Sequence, residues 1–293
     1  MKITLPKYTI SNINAIFILD CLGNDELQTG RNCEEQIIDL LPPGIGKKKN
    51  RVYRERCLDL SSFYNFMKKI SDLCKQEAAP LIHIHGHGNK NEGLQLTDGF
   101  VSWYDLMEKL REITINANGE TTIIASFCYS YQIVNAFLNK CKNQDHEILR
   151  VPFGFFYGYR NEISAGVVEQ ESKCINKSIL QNGGQGIMDN PPKNITQYSE
   201  YNYIDEQIAY CLYLVNQKTP NSMKIDNFSL GNIRENILRK GRERGIPFDY
   251  SRKYFNSLRD NPKLLLKNII EYVMYDTERK LKYLEAIDKI TVN

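Results

Sequence analysis

Short strand-like segments alternate with amphipathic stretches through about residue 180 of the chain. Segments of four to eight apolar or β-branched residues are typical of strands, and apolar residues at three- and four-residue steps are typical of helices. The predicted strands are 13–22, 51–57, 80–86, 121–128 and 151–158. The predicted helices between and after them are 33–41, 60–77, 102–116, 133–141 and 162–180.

Two local motifs mark boundaries between these elements. Asp98-Gly99 is a hairpin turn pair after the alternating Leu94 and Leu96. Ser102 with Asp105 has the spacing of a helix N-terminal cap, and Asn118-Gly119 ends the helix that follows. The segment between the third and fourth strands therefore predicts a hairpin and then a helix.

The order of these elements predicts an α/β fold with a mostly parallel sheet sandwiched by helices. In such sheets, functional residues gather at the carboxyl ends of the strands. After the segment 183–194 the pattern predicts helices only, among them a long one that begins at Asn261-Pro262. We therefore predict two domains, residues 1–194 with the sheet and residues 195–293 as a helical C-terminal extension. The extension either packs on the first domain as a structural part or serves as a regulatory or substrate-docking module.

Composition narrows the class of partner. The 293-residue chain carries a formal charge of +3, which does not indicate nucleic acid as the main partner. Neither a signal peptide nor an apolar run of the roughly 20 residues that span a bilayer is visible. The eight cysteines are scattered without a C-x-x-C pair, which argues against a zinc ribbon or a disulfide scaffold. We expect a cytoplasmic protein without a membrane span.

Three of the four histidines, His83, His85 and His87, fall within the third strand and its end. Alternation along a strand predicts that all three point to the same side. Such a cluster is a possible metal site, but the spacing H-x-H-x-H is by itself weak support for a metal. We therefore interpret His83 and His85 as buried residues that support the site rather than as metal ligands.

His87 and Cys128 end the third and fourth predicted strands, so their side chains are expected to lie near each other. A thiol before a helix feels the positive end of the helix dipole, and a nearby imidazole favours the thiolate further. Gly88 has no side chain to block a substrate. The residues alone leave open whether Cys128 is a nucleophile or an inert buried cysteine.

Five sequence pieces follow one another in a recognisable order. They are GHG (86–88), GLQLTDG (93–99), VSWYDL (101–106), SFCYS (126–130) and PFGFFYGYRNEIS (152–164). Together they resemble the bacterial caspase-like and CHAT branch of the caspase–hemoglobinase fold group, over roughly residues 10–182. His87 lies 41 residues before Cys128, and in caspases the histidine lies about 50 residues upstream of the cysteine.

The resemblance implies a caspase-like fold and a catalytic dyad of His87 and Cys128, with the N–H groups of Gly88 and Cys128 holding the oxyanion. Family members line the substrate pocket at positions that correspond to Asp20 and Ser126. The caspase motif Q-A-C-x-G is absent, so aspartate specificity does not carry over. Asp20 favours a basic substrate side chain, unless it only caps a turn.

The sequence therefore predicts a cysteine endopeptidase that needs no cofactor and cleaves a protein partner. In bacteria the family often serves defence and regulated cell death, sometimes by cutting a gasdermin-like pore former, and this role is expected from the resemblance alone. Two alternatives stay open: an idle caspase-like scaffold that binds through residues 195–293, and a metal-dependent hydrolase that uses the histidine cluster. The sequence does not predict the oligomeric state.

Overall fold

The computed structural model of the chain describes residues 5–41, 51–143, 150–181, 190–216 and 230–290. The strands within these ranges are β1 (Ala15–Asp20), β2 (Val52–Arg56), β3 (Pro80–His85), β4 (His87–Asn89), β5 (Gly93–Leu96), β6 (Gly99–Val101), β7 (Thr122–Ser126), β8 (Phe155–Tyr159) and β9 (Ile195–Ser199). The helices are α1 (Thr29–Leu40), α2 (Leu60–Cys74), α3 (Trp103–Asn116), α4 (Gln132–Asn143), α5 (Ala165–Gln181), α6 (Glu200–Asn216), α7 (Leu230–Glu243), α8 (Phe248–Asp260), α9 (Pro262–Val273) and α10 (Glu278–Lys289).

Six of the strands form one sheet in the order β2-β1-β3-β7-β8-β9. All pairs from β2 to β8 are parallel, and β9 pairs antiparallel with β8 at the edge. Together with the flanking helices, this confirms the predicted α/β fold with a mostly parallel sheet. The antiparallel β9 shows that residues after 194 are not all helical, so the sheet continues past the position where the sequence placed the end of the first domain.

Every residue of β1, β3, β7 and β8 is buried, which explains why these strands read as continuous apolar runs. Alternate residues face opposite sides of the sheet. On one side, the Phe17 ring packs against Phe66 of α2 at 6.2 Å between centroids. On the other, Ile18 belongs to a buried cluster with Cys33 of α1 and Ile175 of α5. The two layers of core therefore lie on the two faces of one sheet.

Helix boundaries follow the cap residues of the sequence. The Ser102 side chain accepts the N–H of Asp105 at 3.0 Å and opens α3, which confirms the predicted cap. Asn118 and Gly119 both have positive φ, 48° and 84°, just after α3. Asparagine and glycine are the residues that adopt this left-handed conformation with least strain, so α3 ends where the sequence predicts.

The strands β4, β5 and β6 form a separate antiparallel sheet. Leu96 pairs with Gly99 across the turn, which confirms the predicted hairpin. The carboxylate of Asp98 also accepts the N–H of Leu60 at 2.9 Å, at the start of α2. This contact fixes the hairpin turn against the first turn of a helix that covers the main sheet.

The prediction that His87 continues the third strand is wrong. β3 ends at His85, level with Ser126 at the end of β7, so the main sheet offers no partner for the next residues. His87 pairs instead with Gln95 in the small sheet. His83 and His85 are buried, whereas 55% of the His87 side chain is exposed. The three histidines therefore do not form one cluster.

Contacts divide the chain into two compact units. The first, Thr9–Lys140 with Val151–Glu200, contains both sheets. The second consists of Met1–Tyr8, Cys141–Arg150 and Tyr201–Asn293. The sequence predicted a single domain boundary, after residue 194. In the structure, the second unit also includes two segments from earlier in the chain.

In the second unit, α7 packs on α8, α8 on α9, and α9 on α10. The side chain of Asn261 accepts the N–H of Leu264 and caps α9, as the Asn-Pro pair predicts. The long helix expected from this point is in fact two helices, and α8 was not predicted. Among the helices in the described ranges, none is long and apolar enough to cross a bilayer.

One buried hydroxyl joins three segments of the first unit. Thr114 Oγ1 of α3 lies 2.6 Å from Pro152 O, 2.8 Å from Thr121 Oγ1 and 2.9 Å from Leu110 O. We expect Thr114→Val to lower the free energy of unfolding by roughly 1–3 kcal/mol, because valine keeps the shape but removes a buried hydroxyl that its neighbours use as a hydrogen-bond partner. Urea unfolding measures this difference.

The matched control is Thr97→Val. Thr97 Oγ1 also donates to a carbonyl, Leu58 O at 2.8 Å, but at an exposed position where water replaces it. The control is expected to change stability by less than about 0.5 kcal/mol. Equal losses in both variants would contradict a structural role for the buried hydroxyl.

Candidate functional site

Loops after four adjacent parallel strands meet at one edge of the main sheet. They follow β1, β3, β7 and β8, and the carboxyl ends of parallel strands share an edge. An open pocket of about 460 Å³ lies there. It is lined by Gly88, Cys128, Tyr129, Glu162, Ile163 and Ser164. Three of the four loops contribute to this lining.

Cys128 lies in the turn between β7 and α4. It is neither the last residue of the strand, which is Ser126, nor at the start of the helix, which begins at Gln132. The expected position at a helix N-terminus is therefore wrong. The thiol is partly exposed, and the Ile163 N–H donates a hydrogen bond to Sγ at 3.3 Å. The sulfur also donates to Ile163 O at 3.6 Å, so both backbone groups of Ile163 hold the Cys128 side chain in place.

The residue after Cys128 holds an unusual backbone conformation. Tyr129 has a φ of 58°, a backbone angle that residues other than glycine rarely adopt without support from their neighbours. Two contacts provide that support: the Tyr129 N–H donates to Asn161 O at 3.2 Å, and its hydroxyl donates to Glu162 Oε1 at 3.0 Å. The carboxylate also raises the pKa of Tyr129. The turn that presents Cys128 is thus held in place from the loop after β8.

Gly88 is the point where the two halves of the predicted dyad approach each other. A Cβ built at Gly88 would lie 1.9 Å from the carbonyl oxygen of Cys128, closer than any side chain allows. The sequence suggested that glycine here leaves room for a substrate. In the structure, the missing side chain leaves room for the backbone of Cys128 itself.

His87 precedes Gly88 and is hydrogen-bonded to a residue that the sequence analysis missed. Its Nε2 lies 2.7 Å from Glu26 Oε1, in the loop after β1. Partial burial acts to raise the pKa of Glu26, but the Gly23 N–H and then His87 lower it overall. Within the described part of the chain, the His87 ring and the Cys128 thiol are not hydrogen-bonded to each other. The sequence did offer one indication that Glu26 belongs to the site, because it is a carboxylate in the loop that follows a predicted parallel strand.

Asp20 and Ser126 do not line this pocket. In the register of the sheet, Asp20 pairs with His85, and His85 with Ser126, so the three side chains form one row on the face covered by α1 and α5. Ser126 Oγ lies 3.1 Å from Ser172 Oγ of α5. Asp20 is fully buried and accepts a hydrogen bond from Arg54 at 2.8 Å. This corrects the expected placement of both residues in the substrate pocket.

His83 and His85 face the same helical layer. His85 Nδ1 lies 3.0 Å from Thr29 Oγ1, and His83 Nδ1 lies 3.5 Å from Cys33 Sγ, both on α1. Burial lowers the pKa of His85 to about 4 and that of His83 well below its usual value. Burial likewise raises the pKa of Cys33 to about 12. At neutral pH both imidazoles are therefore uncharged, and they lie away from any substrate.

Comparison with known proteins adds little to this description. No family model matches the chain, and no curated protein matches it. A solved structure of Raptor from Chaetomium thermophilum is similar at a TM-score of 0.36 and 10% identity, over 98% of this chain and 29% of that chain. The chain thus spans less than a third of the length of that protein, and the likeness carries no argument about function.

The close approach at Gly88 gives a test of the pocket geometry. We expect Gly88→Ala to lower the free energy of unfolding by roughly 1–3 kcal/mol, because the new methyl group must push the Cys128 carbonyl away. The rate at which iodoacetamide alkylates Cys128 should change with it. Thermal unfolding and peptide mapping by mass spectrometry measure the two effects.

Gly166→Ala is the matched control. A Cβ at Gly166, in the first turn of α5, meets no atom within 4 Å. That variant is expected to keep the alkylation rate and to be equally stable or more stable by up to about 1 kcal/mol. A Gly88 variant that behaves like the Gly166 variant would refute the close contact.

Proposed function

We propose that the chain is a cysteine endopeptidase in which Cys128 is the nucleophile and His87 handles the protons. The observation that carries the proposal is the pocket beside Cys128, built from loops at the carboxyl edge of the sheet, with His87 next to one of its lining residues. No cofactor takes part in the proposed reaction. The bacterial caspase-like and CHAT resemblance supports the same pair of residues.

The first chemical step is attack of the Cys128 thiolate on the scissile carbonyl. The partly exposed thiol opens on the pocket, where an extended peptide has access to it. The Ile163 N–H donates to Sγ at 3.3 Å and holds the sulfur beside the pocket. A substrate seated against Ile163 therefore lies next to the sulfur.

His87 is suited to proton transfer through its contact with Glu26. If the hydrogen is on Nε2, the Nε2–H group donates a hydrogen bond to the Glu26 carboxylate. Nδ1 then has a free lone pair and is the nitrogen that can accept a proton. A carboxylate that orients the imidazole in this way is the third member of many nucleophile–base pairs. Catalytic contacts commonly tighten only when substrate binds, so a hydrogen bond between the ring and the thiol is not required before then.

The tetrahedral intermediate places a negative charge on the carbonyl oxygen, and backbone N–H groups are its expected partners. In the described part of the chain the Cys128 N–H makes no hydrogen bond, and Gly88 lines the same pocket. A single oxyanion donor contributes about 3–4 kcal/mol in a comparable peptidase. The N–H groups of Gly88 and Cys128 are thus kept as the proposed oxyanion donors.

The proposed preference for a basic substrate residue moves from Asp20 to Glu162. Asp20 already has Arg54 as its partner and is buried. Glu162 is exposed, lines the pocket and is held by Tyr129. A lysine or arginine side chain beside the scissile bond can pair with this carboxylate. The biological target, a protein partner such as a gasdermin-like pore former in a bacterial cytoplasm, is proposed from the resemblance alone.

Removal of either member of the dyad is the test of the enzyme proposal. Cys128→Ala should lower the cleavage rate of arginine-containing fluorogenic peptides by roughly a thousandfold or more. His87→Ala should lower it by roughly a hundredfold to ten-thousandfold, and Glu26→Gln by a smaller factor, because the imidazole remains but is less well oriented. The initial rates of fluorescence increase, recorded with purified full-length protein and its variants, measure these effects.

Cys174→Ser is the control, since Cys174 is exposed and lies outside the pocket. It should cleave at the wild-type rate. Cleavage that survives in the Cys128 variant contradicts the proposed nucleophile. Peptides that bind in the pocket and are never cleaved would favour the scaffold alternative instead.

The specificity proposal has its own variant. Glu162→Gln should lower kcat/KM for peptides with arginine before the cut by roughly fivefold, the equivalent of about 1 kcal/mol for a partly exposed ion pair. Peptides with alanine at that position should be unaffected. Glu35→Gln, on the exposed face of α1, is the charge-matched control. An unchanged arginine preference in the Glu162 variant would rule out this carboxylate as the determinant.

A further inference from the structure

A buried group of sulfur and nitrogen atoms lies between β3 and α1, away from the pocket. One ring nitrogen of His83, one of His85 and the sulfur of Cys33 all lie within 4.8 Å of one another. In the described ranges this is the only group of three or more histidine, cysteine or acidic residues close enough to hold a metal. Exposure of these residues is 3% or less.

Polar atoms of this group lack partners inside the protein. Nε2 of His83 and Nε2 of His85 are both buried without a hydrogen bond among the described residues. The same is true of Oδ1 of Asn176, whose Nδ2 lies 3.7 Å from Cys33 Sγ. Buried polar atoms of native proteins nearly always have a partner, so the unpartnered Nε2 of His85 and Oδ1 of Asn176 indicate an absent ligand.

One distance within the group matches an edge of a tetrahedral zinc site. Bonds of about 2.3 Å to sulfur and about 2.0 Å to nitrogen place ligand atoms roughly 3.5 Å apart. Cys33 Sγ lies 3.5 Å from His83 Nδ1. Thr29 occupies His85 Nδ1 at 3.0 Å, the kind of outer contact that fixes a ligating histidine and leaves its other nitrogen for the metal.

We propose that Cys33, His83 and His85 bind a zinc ion, with Asn176 as the fourth ligand. A half-turn of the Asn176 amide exchanges Nδ2 for Oδ1 beside the sulfur, and the two are assigned rather than distinguished by shape. On binding, the Cys33 thiol releases its proton to solvent and the sulfur bonds to the metal. Thiolate and imidazole ligands favour zinc over magnesium or calcium.

A zinc ion at this place is structural. All three main ligands are buried, so the ion has no contact with a substrate in the pocket, and the metal-dependent hydrolase alternative gains nothing from it. The ion ties α1 to β3, and β3 ends two residues before His87. The proposal stands independently of the peptidase, because it concerns a different face of the sheet.

The test uses full-length protein and two metals. Wild-type protein from zinc-supplemented medium should contain one equivalent of zinc by elemental analysis. Protein unfolded in guanidinium with a chelator, and refolded with Co²⁺ alone, should show a near-ultraviolet thiolate-to-cobalt charge-transfer band. Cys33→Ser should lose that band and bind zinc more weakly by roughly tenfold or more.

Cys174→Ser is the control for the band, since Cys174 is exposed and is not one of the proposed ligands. It should bind both metals as wild type does. A band that persists in Cys33→Ser assigns the thiolate to another cysteine and overturns the proposal. Because the Cys33 variant can fail to fold, the wild-type arm stands alone: no zinc, no cobalt band and no effect of zinc on thermal unfolding would mean that buried water fills the site instead.

Discussion

Parallel strands must all leave a sheet at the same edge, and the organisation of the first unit depends on this constraint. β1, β3, β7 and β8 lie side by side and parallel, so the chain segments that follow them converge. These segments are distant in sequence, from Glu26 to Ser164, yet they surround one pocket and its neighbouring histidine. The site is therefore a consequence of strand order rather than of any one motif.

The same constraint separates two kinds of polar residue. The last residues of three strands, Asp20, His85 and Ser126, lie in one row and point under the helices α1 and α5. There each has a specific partner, Arg54, Thr29 and Ser172 respectively. Two residues past their strands, His87 is exposed and Cys128 partly exposed, whereas Cys21, Leu22 and Phe127 stay buried. In β3 and β7, two residues thus separate a polar side chain that supports the sheet from one that lies at or beside the pocket.

Much of the fold followed from apolar periodicity and cap residues, because these patterns report burial and local hydrogen bonds directly. Strand and helix order through α5, the hairpin at Asp98-Gly99 and the Ser102 cap were all predictable. β9 was not, since its sequence ITQYS is neither a continuous apolar run nor a strict alternation of apolar and polar residues. The break between α9 and α10 was not predicted, because the apolar stripe of α9 is followed by a similar apolar stripe in α10.

The site was less predictable than the fold for a physical reason. Sequence spacing placed His87 on β3, but the strand ends where its neighbour β7 ends, and this depends on long-range register. The burial of Asp20 depends on Arg54 from the adjacent strand, and the Glu26–His87 contact joins two loops. Such pairings arise only when the sheet forms. The proximity of Cys33 to His83 and His85 likewise depends on how α1 packs.

The central claim is that Cys128 is a nucleophile that His87 and the pocket make selectively reactive. Its most direct test is a peptidyl acyloxymethyl ketone with arginine at the reactive end, followed by intact-mass analysis and peptide mapping of the full-length protein. The expected result is one adduct per chain, on Cys128, formed much more slowly in the His87→Ala variant. An adduct on the exposed Cys174 at an equal rate, or none on Cys128, would contradict the claim.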